Sequence, residues 1–184
     1  MSLKILNVGI PLGYDWINRP YVTAIKPRET CSAKRILACT ETLESLDPGY
    51  KNSMIVVTAS HPPGKTRQSW LYSQQQTFIK RLYGSKIRIH GEPWGWGTES
   101  EIESAVKIIK DVLGDSRHYD ITLVIATNWA HMWRVKLLVA MHKPTRWKCV
   151  FVTAKHPFSL WSHLREIPAT IITFGRWFLS KDNI

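Results

Sequence analysis

The segment from Ile121 to Met141, ITLVIATNWAHMWRVKLLVAM, most constrains what this chain can fold into. It opens with a run of apolar and β-branched residues that is typical of a buried strand, and after Thr127 and Asn128 its apolar residues recur at helical spacing. Two polar side chains, His131 and Arg134, come directly after this change of pattern. In open α/β sheets, ligands bind where strands end and helices begin. We therefore expect this corner to hold the functional site.

The same alternation of strand and helix patterns runs along the whole chain. Further strands are predicted at Leu3–Ile10, Ser53–Ala59, Lys86–His90 and Trp147–Ala154. Between them the pattern predicts a helix capped by Ser32, a helix of about three turns around Phe78, a helix ended by Gly114 as C-cap, and a closing helix over Pro168–Leu179 with Pro168 in its first turn. Five strands alternating with helices imply an α/β fold with a mainly parallel sheet covered on both faces. Right-handed crossovers then bring every strand-to-helix turn to one edge.

Length and composition favour one domain in a reducing compartment. The chain has 184 residues, enough for one sizeable core, so a single domain over residues 1–184 is expected. No apolar run approaches the roughly 18 residues of a membrane span, and the start of the chain lacks a signal-peptide pattern. The three cysteines have no metal-type spacing, which indicates free thiols. A cytoplasmic location is therefore expected.

The charge balance favours anionic partners. The chain carries 25 basic and 14 acidic residues, a net charge of +11, which attracts nucleotides, phosphates or nucleic acid over a distance. The basic residues are scattered along the chain, and this weakens the prediction of a nucleic-acid interface. The exit of the first strand, Gly9 to Gly13, is rich in glycine, which can let a phosphate approach the backbone. The polar stretch from Tyr14 to Thr30 is expected to be a loop that folds over a ligand.

Taken together, these turns resemble the YdcF/SanA-like family, a domain of unknown function with a Rossmann-like fold. Thr127, His131 and Arg134 are similar to that family's strand end, histidine and arginine three residues later. Gly91-Glu92 followed by Thr98 is similar to its acidic residue and helix start, and Glu166 is similar to a late family glutamate. Weaker similarities are Leu12-Gly13, Arg35 and Val57-Thr58-Ala59.

The resemblance implies a three-layer Rossmann-like sandwich that binds a nucleotide-like ligand, S-adenosylmethionine being one candidate. At two places the sequence departs from the family pattern, and both bear on whether the family's ligand is shared. Thr98-Glu99-Ser100-Glu101 stands where the family usually has Thr-x-Glu-Asn, and the second strand ends without the usual Ser-Gly-Gly. Many relatives carry an N-terminal membrane anchor and act at the cell envelope, and this chain shows no such apolar segment.

His131 and Glu92 are the candidates for catalysis. An imidazole titrates near neutral pH and can act as acid or base, and we favour this over the alternative that His131 caps the helix or bonds to a loop. Glu92 follows the third predicted strand, where it could bind a ribose hydroxyl or act as a base. Arg134 could share an anion with His131 or pair with a carboxylate such as Glu92.

The remaining candidates are ligand contacts with structural alternatives. Gly13, Thr127 and Asn128 lie at strand ends, and Trp96 could stack on a base or sugar ring. Thr98 begins the motif Thr98-x-x-Glu101, which is typical of a capping box, and we favour that structural role for it. No cluster of histidines and carboxylates has the spacing of a metal site, so no required metal is predicted.

Three functions therefore stay open. The first is a domain that binds a small anionic or nucleotide-like ligand at the carboxyl edge of the sheet, with or without transferase or hydrolase activity. The second is a basic nucleic-acid-binding protein, whose binding would fall steeply with salt. The third is a protein that binds a partner without catalysis through the loop from Tyr14 to Thr30.

Overall fold

A computed structural model describes residues 3–12, 31–60, 65–95, 97–155 and 160–181. The five strands are β1 (Lys4–Pro11), β2 (Ser53–Ser60), β3 (Arg88–Gly95), β4 (Tyr119–Thr127) and β5 (Lys148–Thr153). The helices are α1 (Cys31–Leu46), α2 (Lys65–Tyr83), α3 (Gly97–Leu113), α4 (Met132–His142) and α5 (Leu160–Lys181). Short 3-10 turns at Ser116–His118 and Trp129–His131 precede β4 and α4.

The strands form one sheet in the order β3-β2-β1-β4-β5, and every pair is parallel. The predicted α/β fold with a parallel five-stranded sheet is therefore confirmed. From β1 the chain moves outward to β2 and β3 and then returns to β4 on the other side of β1. Because the direction reverses there, the carboxyl ends of β1 and β4 flank the crevice where open α/β sheets bind ligands.

Alternating side chains of the strands build one core on each face of the sheet, which makes a three-layer Rossmann-like sandwich. On one face, side chains of β1, β2 and β4 pack with residues of α3 and α4, including Ile102, Val106 and Val135. On the other face, Ile55 and Val57 of β2 pack with α1 and α2 residues such as Leu43 and Ile79. α5 packs mainly on α4 and on the 129–131 turn.

Several elements extend beyond their predicted bounds. β3 continues through Glu92 to Gly95, because its backbone keeps pairing with β2 past an irregularity between Thr58 and Ser60. α2 has 19 residues, more than the three turns that its apolar spacing predicted. Ser32 lies inside α1 and does not precede it. Gly114 has the predicted C-cap geometry, with a φ of 61° and its N–H bonded to the Lys110 carbonyl at 2.9 Å.

The prediction that Pro168 occupies the first turn of the closing helix is wrong. α5 begins at Leu160 and contains Pro168 in its interior. Proline has no N–H for the carbonyl of Leu164, four residues earlier. Both residues are exposed, so water can bond to that carbonyl and the helix continues. Among the helices that the structure describes, none is long and apolar enough to cross a membrane.

Candidate functional site

Glu166 of α5 is the carboxylate around which the candidate site is built. Its Oε2 atom lies 2.9 Å from His131 Nδ1 and 3.3 Å from Arg134 Nε. The side chains of Glu166 and His131 are each 5% exposed, so this ion pair is nearly out of contact with solvent. The sequence suggested a carboxylate such as Glu92 as the partner of Arg134. The carboxylate that lies beside Arg134 is that of Glu166.

The end of β4 explains how His131 and Arg134 come to face the same carboxylate. The backbone N–H of His131 donates to the Asn128 carbonyl at 3.1 Å, which closes a single turn between strand and helix. α4 starts at the next residue, and Arg134 is three positions beyond His131, on the same side of the helix. The strand-to-helix switch that the sequence predicted therefore directs an imidazole and a guanidinium toward α5.

Arg134 also connects this cluster to α3. Its Nη2 atom donates to Thr98 Oγ1 at 2.9 Å. α3 begins at Gly97, so Thr98 lies within the helix, whereas a capping residue would precede it. The prediction that Thr98 caps the helix is therefore wrong in position. The structure brings Thr98, His131 and Arg134 together, with Glu166 as the group that the imidazole and the guanidinium share.

Arg35 of α1 spans the crevice between β1 and β4. Its side chain donates to the Leu12 carbonyl at 2.6 Å through Nη1 and to Asn128 Oδ1 at 3.1 Å through Nε. Leu12 follows β1 and Asn128 follows β4, so one guanidinium joins the strand ends on the two sides of the reversal. Arg35 is 1% exposed, and a buried arginine needs such acceptors. This makes Asn128 a partner of Arg35 within the described part of the chain.

The other predicted site residues are only partly described. Thr127 is buried at the end of β4, and its carbonyl accepts from the N–H of Ala154 at 2.9 Å. The backbone of Glu92 lies inside β3, three residues before the strand ends, and not beyond it as predicted. Gly13 and Trp96 lie outside the described residues, as does the Tyr14–Thr30 stretch.

Two buried polar groups lie near the same edge of the sheet. Thr58 of β2 and Glu101 of α3 are both 0% exposed. The hydroxyl of Thr58 has no hydrogen-bond partner among the residues that the structure describes. Buried hydroxyls are normally paired with protein or with ordered water.

Arg35 and Glu166 are the two residues whose importance the sequence understated. Each left a signal that is visible without a structure. Arg35 shares a helical stripe with Cys39 and Leu43, where a charge is unexpected unless it is paired. Glu166 is the only acidic residue between Asp120 and Asp182. A basic residue in this stretch therefore has Glu166 as its one nearby acidic partner in the sequence.

A separate cluster on α3 and α4 has residues that could hold a metal ion. Glu99, Glu103 and His142 place one ligand atom each within 4.8 Å of one another. Arg176 already donates to both oxygens of Glu99, at 2.6 and 2.9 Å. Its guanidinium supplies positive charge that an ion would otherwise bring, and this bidentate pair explains the cluster without a metal. The absence of a required metal stays a prediction.

The geometry of the main site is suited to proton transfer or anion contact. A carboxylate oxygen 2.9 Å from Nδ1 favours a proton on that nitrogen, because a lone pair there would be repelled by the anionic oxygen. Nε2 then becomes the acceptor nitrogen of the neutral ring.

Comparisons of the chain with family models, with curated proteins and with solved structures found no match.

Proposed function

We propose that this protein binds a small anionic or nucleotide-like ligand in the crevice at the carboxyl ends of β1 and β4. The observation that carries the proposal is the buried contact of Glu166 with both His131 and Arg134 at that edge. Glu166 and His131 are buried and Arg134 is partly buried. Burying ionisable groups costs desolvation energy, and such groups are enriched at functional sites. Their position at the reversal of strand order agrees with where α/β sheets bind ligands.

The chemistry we propose for the site is acid–base. Glu166 orients the His131 ring so that Nε2 can take up or release a proton, as a carboxylate does for the histidine in many hydrolases and transferases. Arg134, held by Thr98, supplies positive charge for the anionic part of the ligand. The similarity of Thr127, His131 and Arg134 to the YdcF/SanA-like pattern supports the same reading, with S-adenosylmethionine as one ligand to test.

A thermal-shift screen of nucleotides, S-adenosylmethionine and sugar phosphates tests this proposal. A ligand at about 100 times its Kd stabilises a protein by about 2.7 kcal/mol, which for a chain of this size raises Tm by roughly 5–10 °C. The variants to compare are His131→Gln and His118→Gln, because the two histidines lie at opposite ends of β4.

We expect His131→Gln to lose most of the ligand-induced shift and His118→Gln to keep it. The shift is measured for each variant against its own unliganded Tm, so a loss of stability alone does not mimic a loss of binding. Equal shifts in both variants would show that His131 only supports the structure.

A further inference from the structure

α5 exposes its apolar side chains and buries polar ones, the reverse of an ordinary amphipathic helix. Glu166 and Thr173 are 4% and 8% exposed and face the rest of the protein. Seven large apolar residues of the same helix are between 50% and 66% exposed: Leu164, Ile167, Ile171, Ile172, Phe174, Phe178 and Leu179. A helix normally buries its apolar stripe against the core, so this outward face is suited to an environment other than water.

These seven residues form one continuous surface. At 3.6 residues per turn they occupy, with Pro168 and Gly175, an arc of about 160° around the helix that contains no charged residue. We call this surface the outer face of α5. Exposed by half to two thirds, its side chains offer on the order of 700 Å² of apolar area, above the roughly 300–600 Å² of the largest patch on a typical monomer.

Two exposed tryptophans stand on the elements against which α5 packs. Trp129 in the 129–131 turn is 63% exposed, and Trp133 on α4 is 67% exposed. The ammonium of Lys136 lies 5.2 Å from the ring centroid of Trp133. Tryptophan with a neighbouring lysine is typical of the boundary between lipid headgroups and acyl chains, where the ring and the charge each find a favourable layer.

The sequence from Trp129 to the end of α5 is strongly basic. From Trp129 to Lys181 the sequence has a single acidic residue, the buried Glu166. The nine basic residues of the same stretch are Arg134, Lys136, Lys143, Arg146, Lys148, Lys155, Arg165, Arg176 and Lys181. An excess of this size attracts an anionic surface and repels a second copy of the same stretch.

We propose that the outer face of α5, together with Trp129 and Trp133 on the elements that α5 packs against, docks on an anionic membrane surface. The helix lies in the plane of the interface, with its apolar arc among the upper acyl chains and the surrounding lysines and arginines at the headgroups. A broad, uncharged arc favours this occupant over a helix of a second copy, which would need only the narrower stripe of a coiled-coil seam.

Vesicle flotation of the full chain tests the proposal. We expect binding to vesicles of phosphatidylcholine mixed with phosphatidylglycerol, weaker binding by about tenfold or more to phosphatidylcholine alone, and a decrease at high salt. The variant Ile171→Glu/Phe178→Glu should lose about tenfold or more of the binding, because it places charges in the arc. Leu46→Glu is the matched control, since Leu46 is 46% exposed on α1, which packs on the other face of the sheet.

Quenching of tryptophan fluorescence gives a second measurement. Phosphatidylcholine with brominated acyl chains, mixed with phosphatidylglycerol, should quench tryptophan fluorescence, and the Trp129→Phe/Trp133→Phe variant should be quenched measurably less than the unchanged protein. Absence of flotation with both kinds of vesicle would overturn the proposal. So would a dimer in light scattering that Ile171→Glu/Phe178→Glu dissociates while the vesicles stay unbound, because a second copy would then be the occupant.

Discussion

At the scale of single residues, one buried carboxylate contacts both an imidazole and a guanidinium. Glu166 lies within 3.3 Å of both His131 Nδ1 and Arg134 Nε. In water such a contact contributes little, but removing one member of a buried pair leaves the other charge without compensation. Glu166 is therefore expected to matter for stability as well as for the proposed chemistry.

Substitution of Glu166 tests this difference between buried and exposed pairs. We expect Glu166→Gln to lower the free energy of unfolding by about 3 kcal/mol, because Arg134 loses its counter-charge in a partly buried site. Asp120→Asn is the control: Asp120 pairs with Lys148 at 2.8 Å on the surface, and its loss should cost less than about 1 kcal/mol. Urea unfolding measures both, and equal losses would contradict the argument.

A second prediction at this scale concerns the thiol of Cys39. Burial raises the pKa of Cys39 to about 12, so the side chain stays a neutral thiol at physiological pH. The thiolate is the nucleophile in alkylation. We therefore expect Cys39 to resist iodoacetamide at mildly alkaline pH in the folded protein and to react once urea unfolds it, as peptide mass spectrometry would show. Rapid labelling of the folded protein would contradict the burial of this thiol.

At the scale of elements, glycines decide how closely helices approach strands. Gly9 belongs to β1, and a Cβ atom there would lie 2.7 Å from Cys39 Sγ and 2.8 Å from Leu43 Cδ1 of α1. The glycine-rich end of the first strand was interpreted as a route for a phosphate. The absence of a side chain at Gly9 is explained by packing, because α1 lies directly against β1 at this position.

A pair of alanine substitutions tests this packing. We expect Gly9→Ala to destabilise the protein by about 1–3 kcal/mol, the usual cost of forcing an extra methyl group into a filled core. Gly175→Ala should instead stabilise it by about 0.5–1 kcal/mol, because alanine is the better helix former. A Cβ at Gly175 meets no atom within 4 Å among the described residues. Thermal or urea unfolding measures both changes, and a neutral Gly9→Ala would contradict the close approach.

The elements also show where local patterns lose their predictive value. The repeated strand and helix patterns predicted all five strands, because each strand is buried on both faces and reads as an apolar run. Strand ends were less predictable: β3 pairs with β2 at Glu92 and, past an irregularity, again at Gly95, although the Pro93 between them locally favours a turn. Pro168 likewise sits inside α5, since the packing of that helix on α4 outweighs the loss of one backbone bond.

At the scale of the whole molecule, the ionisable cluster and the exposed apolar surface lie on opposite sides of α5. The cluster of buried Glu166 and His131 with partly buried Arg134 lies at the carboxyl edge of the sheet, beside the crevice that Arg35 spans. α5 joins this edge to the surface: its inner side supplies Glu166, and its outer face is the apolar surface proposed to meet a membrane. Docking of α5 and chemistry at His131 would therefore involve opposite sides of one helix.

The sequence by itself determined the fold class, the parallel sheet and the corner after β4, because hydrophobic periodicity and residue order are local properties. Only the tertiary structure decided which groups meet there. Glu166 reaches His131 from 35 positions away, and Arg35 reaches Asn128 from 93 positions away. Such contacts depend on strand order and on which side of α5 packs inward. α5 turns Glu166 inward and leaves large apolar side chains exposed, and a short window of sequence does not show which side of a helix packs against the protein.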